Sequence, residues 1–143
     1  MKRNIILLLI LMCCLSINIS LYAQEKSSST LELLQTRNWI MWLPSKESFA
    51  MKATFTSDNF WHIYFFHKGE ELDMELTYCI SNSPSFENIE LIRRERLETG
   101  KYLISENKTE TVAYEIVKLT SDSLILKRLD SFSILTFLSS PEE

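Results

Sequence analysis

The ten residues from Leu72 to Ser81 constrain this chain more than any others. Leu72, Met74, Leu76, Tyr78 and Ile80 alternate one for one with Asp73, Glu75, Thr77, Cys79 and Ser81. A strand turns successive side chains to opposite faces, so the segment predicts one apolar face and one polar face. A helix scatters the same residues around its axis. A strand of this kind belongs to an antiparallel sheet whose apolar face is covered by more sheet or by a helix.

The chain opens differently. Met1-Lys2-Arg3 is basic, Ile5 to Leu15 is apolar, and Leu21-Tyr22-Ala23 ends on a small residue before Gln24. That is the layout of a secretory signal peptide over residues 1–23. The apolar run is shorter than the roughly 20 residues that span a bilayer, and no later segment is apolar enough to cross one. The expected location is the periplasm or the cell exterior. A lipid anchor on Cys13 or Cys14 is the alternative, although Met12 and Cys13 are poor residues to precede a lipidated cysteine.

Removing the signal leaves 120 of the 143 residues, a single domain with length enough for one core. Thirteen basic residues then stand against nineteen acidic ones, a net charge of −6. That balance speaks against nucleic acid as a partner. Only Cys79 stays with the mature domain, so packing, and not a disulfide, must stabilise it.

Residues 24–30 are polar and serine-rich and read as a tether. Thr30 offers a cap for a short helical turn carrying Leu31 and Leu34. Strands are expected at Trp39–Leu43, Phe49–Thr56, Phe60–Phe66, the Leu72 segment, Lys101–Ser105, Thr111–Leu119, Leu124–Arg128 and Phe132–Leu138. Ile116 and Leu119 differ in parity, which calls for a bulge between them or for one of them to face out. From Ser83 to Gly100 a helix and an irregular crossing are equally compatible with the ragged apolar spacing. About eight antiparallel strands joined by short turns suit an up-and-down barrel, with a two-sheet sandwich as the rival.

Trp39 after a short Leu-rich turn, Gly100-Lys101-Tyr102-Leu103-Ile104, Tyr114 to Leu119 and Asp122 to Leu126 together resemble the small lipocalin-like domains of bacterial envelope proteins. Arg37 stands where lipocalins proper carry glycine. The resemblance covers most of residues 31–138 and assigns residues 31–143 to an all-β, lipocalin-like barrel. It implies an irregular crossing between Ser83 and Gly100. It also implies structural roles for Trp39, in the first strand, and for Arg128, as the basic residue laid over that indole.

Catalytic and metal signatures are weak. His62 and His67 lie five apart and fall on opposite faces of one regular strand. No serine sits in a glycine-flanked elbow, and no glycine loop is suited to phosphate. Cys79 reads as a small side chain on the outer sheet face. Arg93, Arg94 and Arg96 are interleaved with Glu90, Glu95 and Glu98, a self-neutralised segment. We therefore expect neither an enzyme nor a cofactor or metal. Phe55, Tyr64, Phe66, Met74, Tyr78, Tyr102 and Phe137 are the candidates to line a lumen for a small apolar or amphipathic ligand. The other reading is a protein-interaction module, an inhibitor, accessory subunit or homodimer, with a filled barrel and an apolar outer strand.

The address is directly testable. N-terminal sequencing of the exported protein should begin at Gln24, and a lipid-modified Cys13 or Cys14 would overturn the soluble reading.

Overall fold

The computed structural model describes residues 28–42, 49–67 and 69–140, with backbone alone at 49, 50, 66 and 67. The expected signal segment and most of the tether lie outside them. Eight strands follow in chain order: β1 (Asn38–Trp42), β2 (Phe49–Phe55), β3 (Phe60–His67), β4 (Glu70–Ser81), β5 (Tyr102–Glu106), β6 (Thr111–Leu119), β7 (Ser123–Arg128) and β8 (Ile134–Ser140). Each pairs antiparallel with the next, and β8 returns to β1 to close the barrel. Closure rules out the sandwich and leaves no free first or last strand in the sheet. Among the described residues two short helices decorate it, α1 (Thr30–Gln35) and α2 (Ile89–Glu95). Among the described residues no helix is long and apolar enough to cross a membrane.

The alternating segment is β4, the longest strand. Its register against β3 sets Trp61 opposite Leu76 and Ile63 opposite Met74. Leu76, Tyr78 and Ile80 are buried, while Glu75 is exposed and faces His62 across the pair, Nδ1 to Oε2 3.6 Å. Cys79 and Ser81 depart from the pattern, because they too are buried. The cause is α2, which lies on the outer face of the sheet. Ile89 and Ile92 pack there on a layer of Cys79, Ile104 and Ala113. Those three are register neighbours on β4, β5 and β6.

The crossing from Ser83 to Gly100 is thus neither wholly irregular nor one long helix. Seven residues are helical, bounded by Asn88 and Arg96 in the left-handed conformation. Arg93 of α2 reaches the sheet, with Nη2 donating to Thr77 Oγ1 at 3.1 Å and pairing with Glu106, while Nη1 pairs with Glu90. Gly100 ends the crossing by necessity of space. A Cβ there would meet the Ser81 carbonyl oxygen at 2.6 Å and Ile80 Cγ2 at 2.7 Å.

The bulge in β6 falls between Ile116 and Lys118, and it lets both Ile116 and Leu119 pack on the core. Phe132, expected to open the last strand, instead sits in the preceding turn at φ 58° and is 69% exposed. Ser29, not Thr30, caps α1, its Oγ accepting from Glu32 N at 3.1 Å.

One end of the barrel is solid. Leu34 of α1 is fully buried on Trp39, and the Trp39 indole N–H donates to the Leu34 carbonyl at 3.1 Å. Gln35 Nε2 donates to Tyr78 Oη at 2.8 Å and to the Thr56 carbonyl at 3.0 Å, and the Tyr78 hydroxyl donates to that same carbonyl at 3.1 Å. Phe55 stacks on Trp61 at 5.1 Å between centroids and meets Tyr78 edge-on at 5.2 Å. A part-buried amide and hydroxyl that are bonded in this way add rigidity without leaving an orphaned group.

The two neighbours on β4 give a direct check of register. Leu76→Ala should cost about 2–5 kcal/mol in denaturant unfolding, and Glu75→Ala no more than about 0.5 kcal/mol; equal losses would mean a different register.

Candidate functional site

The opposite end of the barrel is hollow. A cavity of about 260 Å³ opens there, with Trp61 as its aromatic boundary toward the packed half. Its wall follows from the strand registers. Trp61, Ile63 and Phe65 of β3 lie opposite Leu76, Met74 and Leu72 of β4, and of these pairs all but Leu72 line the space. Met51 pairs with Phe65, and Ser105 pairs with Val112, so β2, β5 and β6 continue the same ring. Tyr114 and Leu135 complete it. Tyr114 meets the Trp61 ring edge-on at 5.6 Å. Trp61 Nε1 is buried with no protein partner.

The mouth is polar. Asn107, Glu110, Arg128 and Ser133 line it. Arg128 ends β7, and its guanidinium is held on two sides. Nε donates to Asp130 Oδ1 at 2.7 Å, and Nη2 donates to Asp130 Oδ2 at 2.9 Å and to Glu110 Oε2 at 3.1 Å. The hydrogen bonds to Asp130 raise the guanidinium further above its ordinary value, and the same contact holds the Asp130 carboxyl below the usual range.

A notch runs beside the mouth. The ladder between β4 and β5 ends at Thr77 and Glu106, so the first half of β4 extends past β5. The space beyond that last rung is about 510 Å³, lined by Phe60, Glu75, Leu76, Thr77 and the turn 106–109. Leu76 and Asn107 border both the notch and the cavity.

Of the seven residues expected at the lumen, Met74 lines the cavity. Phe55, Tyr78 and Phe137 point inward but belong to the solid half, each no more than 1% exposed. Tyr64 has the parity of His62, pairs with Lys52 and Asp73, and lies on the outer face. Tyr102 shares the parity of Ile104, whose side chain packs in the outer layer, so it too is outside. Phe66 stands opposite Glu71 in β3, and its side chain, like that of His67, lies outside the described ones. Arg128 does not cover Trp39: the tryptophan is at the solid end under Leu34, the arginine at the open mouth. The strand order explains this, since β7 enters at the solid end and leaves at the open one.

Of the wall residues missed from the sequence, which include Met51, Leu76, Val112, Tyr114 and Leu135, the three on β3 (Trp61, Ile63 and Phe65) did carry a signal. The hairpin between β3 and β4 sets Trp61, Ile63 and Phe65 on the face of Leu76 and Met74, and the aromatic type of Tyr64 and Phe66 obscured that parity.

Comparison with protein-family models, curated proteins and solved structures gives no match.

Burial raises the Cys79 thiol and the Tyr78 and Tyr114 phenols above their ordinary values. A raised folded-state value means that the unfolded chain releases its proton first. The stability these groups contribute is whole below the unfolded values, about 8.5 for cysteine and about 10 for tyrosine, and fades as pH climbs through the folded ones. Denaturant midpoints should therefore fall from about pH 8.5 upward, and Cys79→Ala should remove the earlier part of the fall; a flat profile would contradict the burial.

Proposed function

We propose that this protein is an exported, non-enzymatic, lipocalin-like binding protein that holds a small apolar or amphipathic molecule in the open half of its barrel. The observation that carries the reading is the half-hollow lumen: aromatic and aliphatic walls below, polar groups at the rim. Apolar walls with a few placed polar groups are the usual composition of a small-molecule site. At about 260 Å³ the space exceeds the roughly 150 Å³ that holds benzene and falls short of the roughly 300–1,000 Å³ of drug-sized sites. The fitting occupant is a one- or two-ring molecule or a short chain. The solid end, filled by Phe55, Tyr78 and Phe137, stops a long acyl chain from running through.

Two side chains that carry chemistry elsewhere are placed to do other work. Burial keeps the Cys79 thiol protonated, which makes it a poor nucleophile. His62 is turned outward to Glu75, away from the cavity. Among the described residues no group of three or more His, Cys, Asp or Glu side chains is arranged to hold a metal. Export is carried by the sequence layout of residues 1–23, and the envelope setting by the resemblance noted above.

A second reading, a protein-interaction module or homodimer, draws on a different face. Ile134 and Leu138 of β8 are 62% and 52% exposed, with Trp42 of β1 half exposed nearby in the sheet order. The cavity argues for the first reading, because a pure interaction module has no need of a hollow barrel.

Native mass spectrometry of protein purified from its own envelope should show a small-molecule adduct. Val112→Trp, which fills the cavity from its wall, should abolish it while the far-ultraviolet circular dichroism stays that of the parent. A wild-type protein that flies only at its bare chain mass would overturn the reading.

A further inference from the structure

The charge arrangement at the mouth says more about the occupant than its size does. An arginine at the rim of an apolar cavity suggests a carboxylate ligand at first sight. Here the Nε and Nη2 edge of the guanidinium is already committed, bidentate to Asp130 and bound again to Glu110, which leaves Nη1. Two carboxylates face one cation. The neighbouring lysines do not redress the balance. Lys127 is turned to the outer face, its Nζ 5.6 Å from the Phe132 ring centroid, and Lys108 borders the notch together with Glu75 and Glu106.

From this we infer that the cavity selects ligands whose polar head is uncharged or cationic and excludes those with an anionic head. The inference rests on the binding role proposed above and adds its charge selectivity. The apolar body of the ligand occupies the space between Ile63, Leu76, Val112 and Tyr114, and its head emerges at Asn107, Glu110 and Ser133. There a neutral donor finds the Glu110 carboxylate, and an ammonium group finds an acceptor already flanked by a second negative charge. A carboxylate head can reach only the remaining Nη1 unless it displaces Glu110 or Asp130, and either way it must bring a third negative charge beside them. Opposed charges a few ångströms apart at a half-exposed site differ enough in energy to set affinity apart by several-fold, and salt weakens the difference.

The test uses three probes of one shape: tryptamine, indole and indole-3-acetate, cationic, neutral and anionic at neutral pH. Titration calorimetry on the full mature chain at low salt should rank tryptamine and indole above indole-3-acetate, with a ratio of about fivefold or more between the cation and the anion. The double variant Glu110→Gln/Asp130→Asn leaves Arg128 uncommitted and should invert that ratio. Reading the ratio within each protein removes any general loss of affinity, and circular dichroism confirms that the variant is folded. Indole-3-acetate binding most tightly to the wild type, or a ratio that the double variant does not move, overturns the charge selectivity while leaving the binding role standing. A wild-type protein that binds none of the three overturns both.

Discussion

The barrel depends on its shortest seam. β1 and β8 are joined by three register pairs, Asn38 with Ser140, Trp39 with Ser139 and Ile40 with Leu138. They bring together residues about a hundred positions apart, so closing the ring carries the largest loop-entropy cost of any pairing in the fold. What makes so short a ladder sufficient is the side chain at its centre. Trp39 is fully buried, held by Leu34 from above and hydrogen-bonded to its carbonyl. α1 is therefore more than a decoration. It clamps the seam on one side and, through Gln35, ties the turn before β3 and the Tyr78 hydroxyl of β4 on the other.

That clamp divides the interior unevenly. Bulky groups, Trp39, Phe55, Tyr78 and Phe137, gather fully buried under α1 and fill the lumen there, where a small barrel has little room to spare. Toward the other end Met51, Ile63, Met74, Leu76 and Val112, slimmer or more flexible side chains, stand beside Phe65 and Tyr114 and leave the axis open. Trp61 is the partition, packed on Phe55 behind it and against Tyr114 beside it.

Much of the fold was legible because local rules and global packing agree along these strands. The strict alternation of β4 fixed its inner face, the short polar turns fixed antiparallel neighbours, and the parity conflict between Ile116 and Leu119 marked a place for a bulge or an outward-facing residue. The places that resisted are those where a distant element changes the environment. Cys79 and Ser81 read as outer-face residues, and they are, but α2 and the crossing chain bury them. Gly100 marked only the end of an ambiguous crossing; its job is clearance beneath a strand carbonyl. The site was harder still. Parity tells which residues point inward and says nothing of how far along the axis each one lies, so Phe55, Tyr78 and Phe137 could not be told from true wall residues. The family resemblance placed Arg128 over Trp39, although six residues of β7 separate the two ends of the lumen.

The overhang of β4 beyond its last rung with β5 bears on how fast such a cavity fills and empties. In a barrel hydrogen-bonded all the way round its wall, a molecule passing sideways must break rungs, and its residence time is then tied to the opening of the sheet. Here Leu76 and Asn107 stand between the hollow and the notch with no backbone rung across the gap between β4 and β5. Sideways passage costs side-chain rotations and leaves the ladder whole. Any exchange of a bound molecule by this route is thereby uncoupled from unfolding: a substitution that stabilises the barrel need not slow it, and a change at Asn107 can alter it without touching the core.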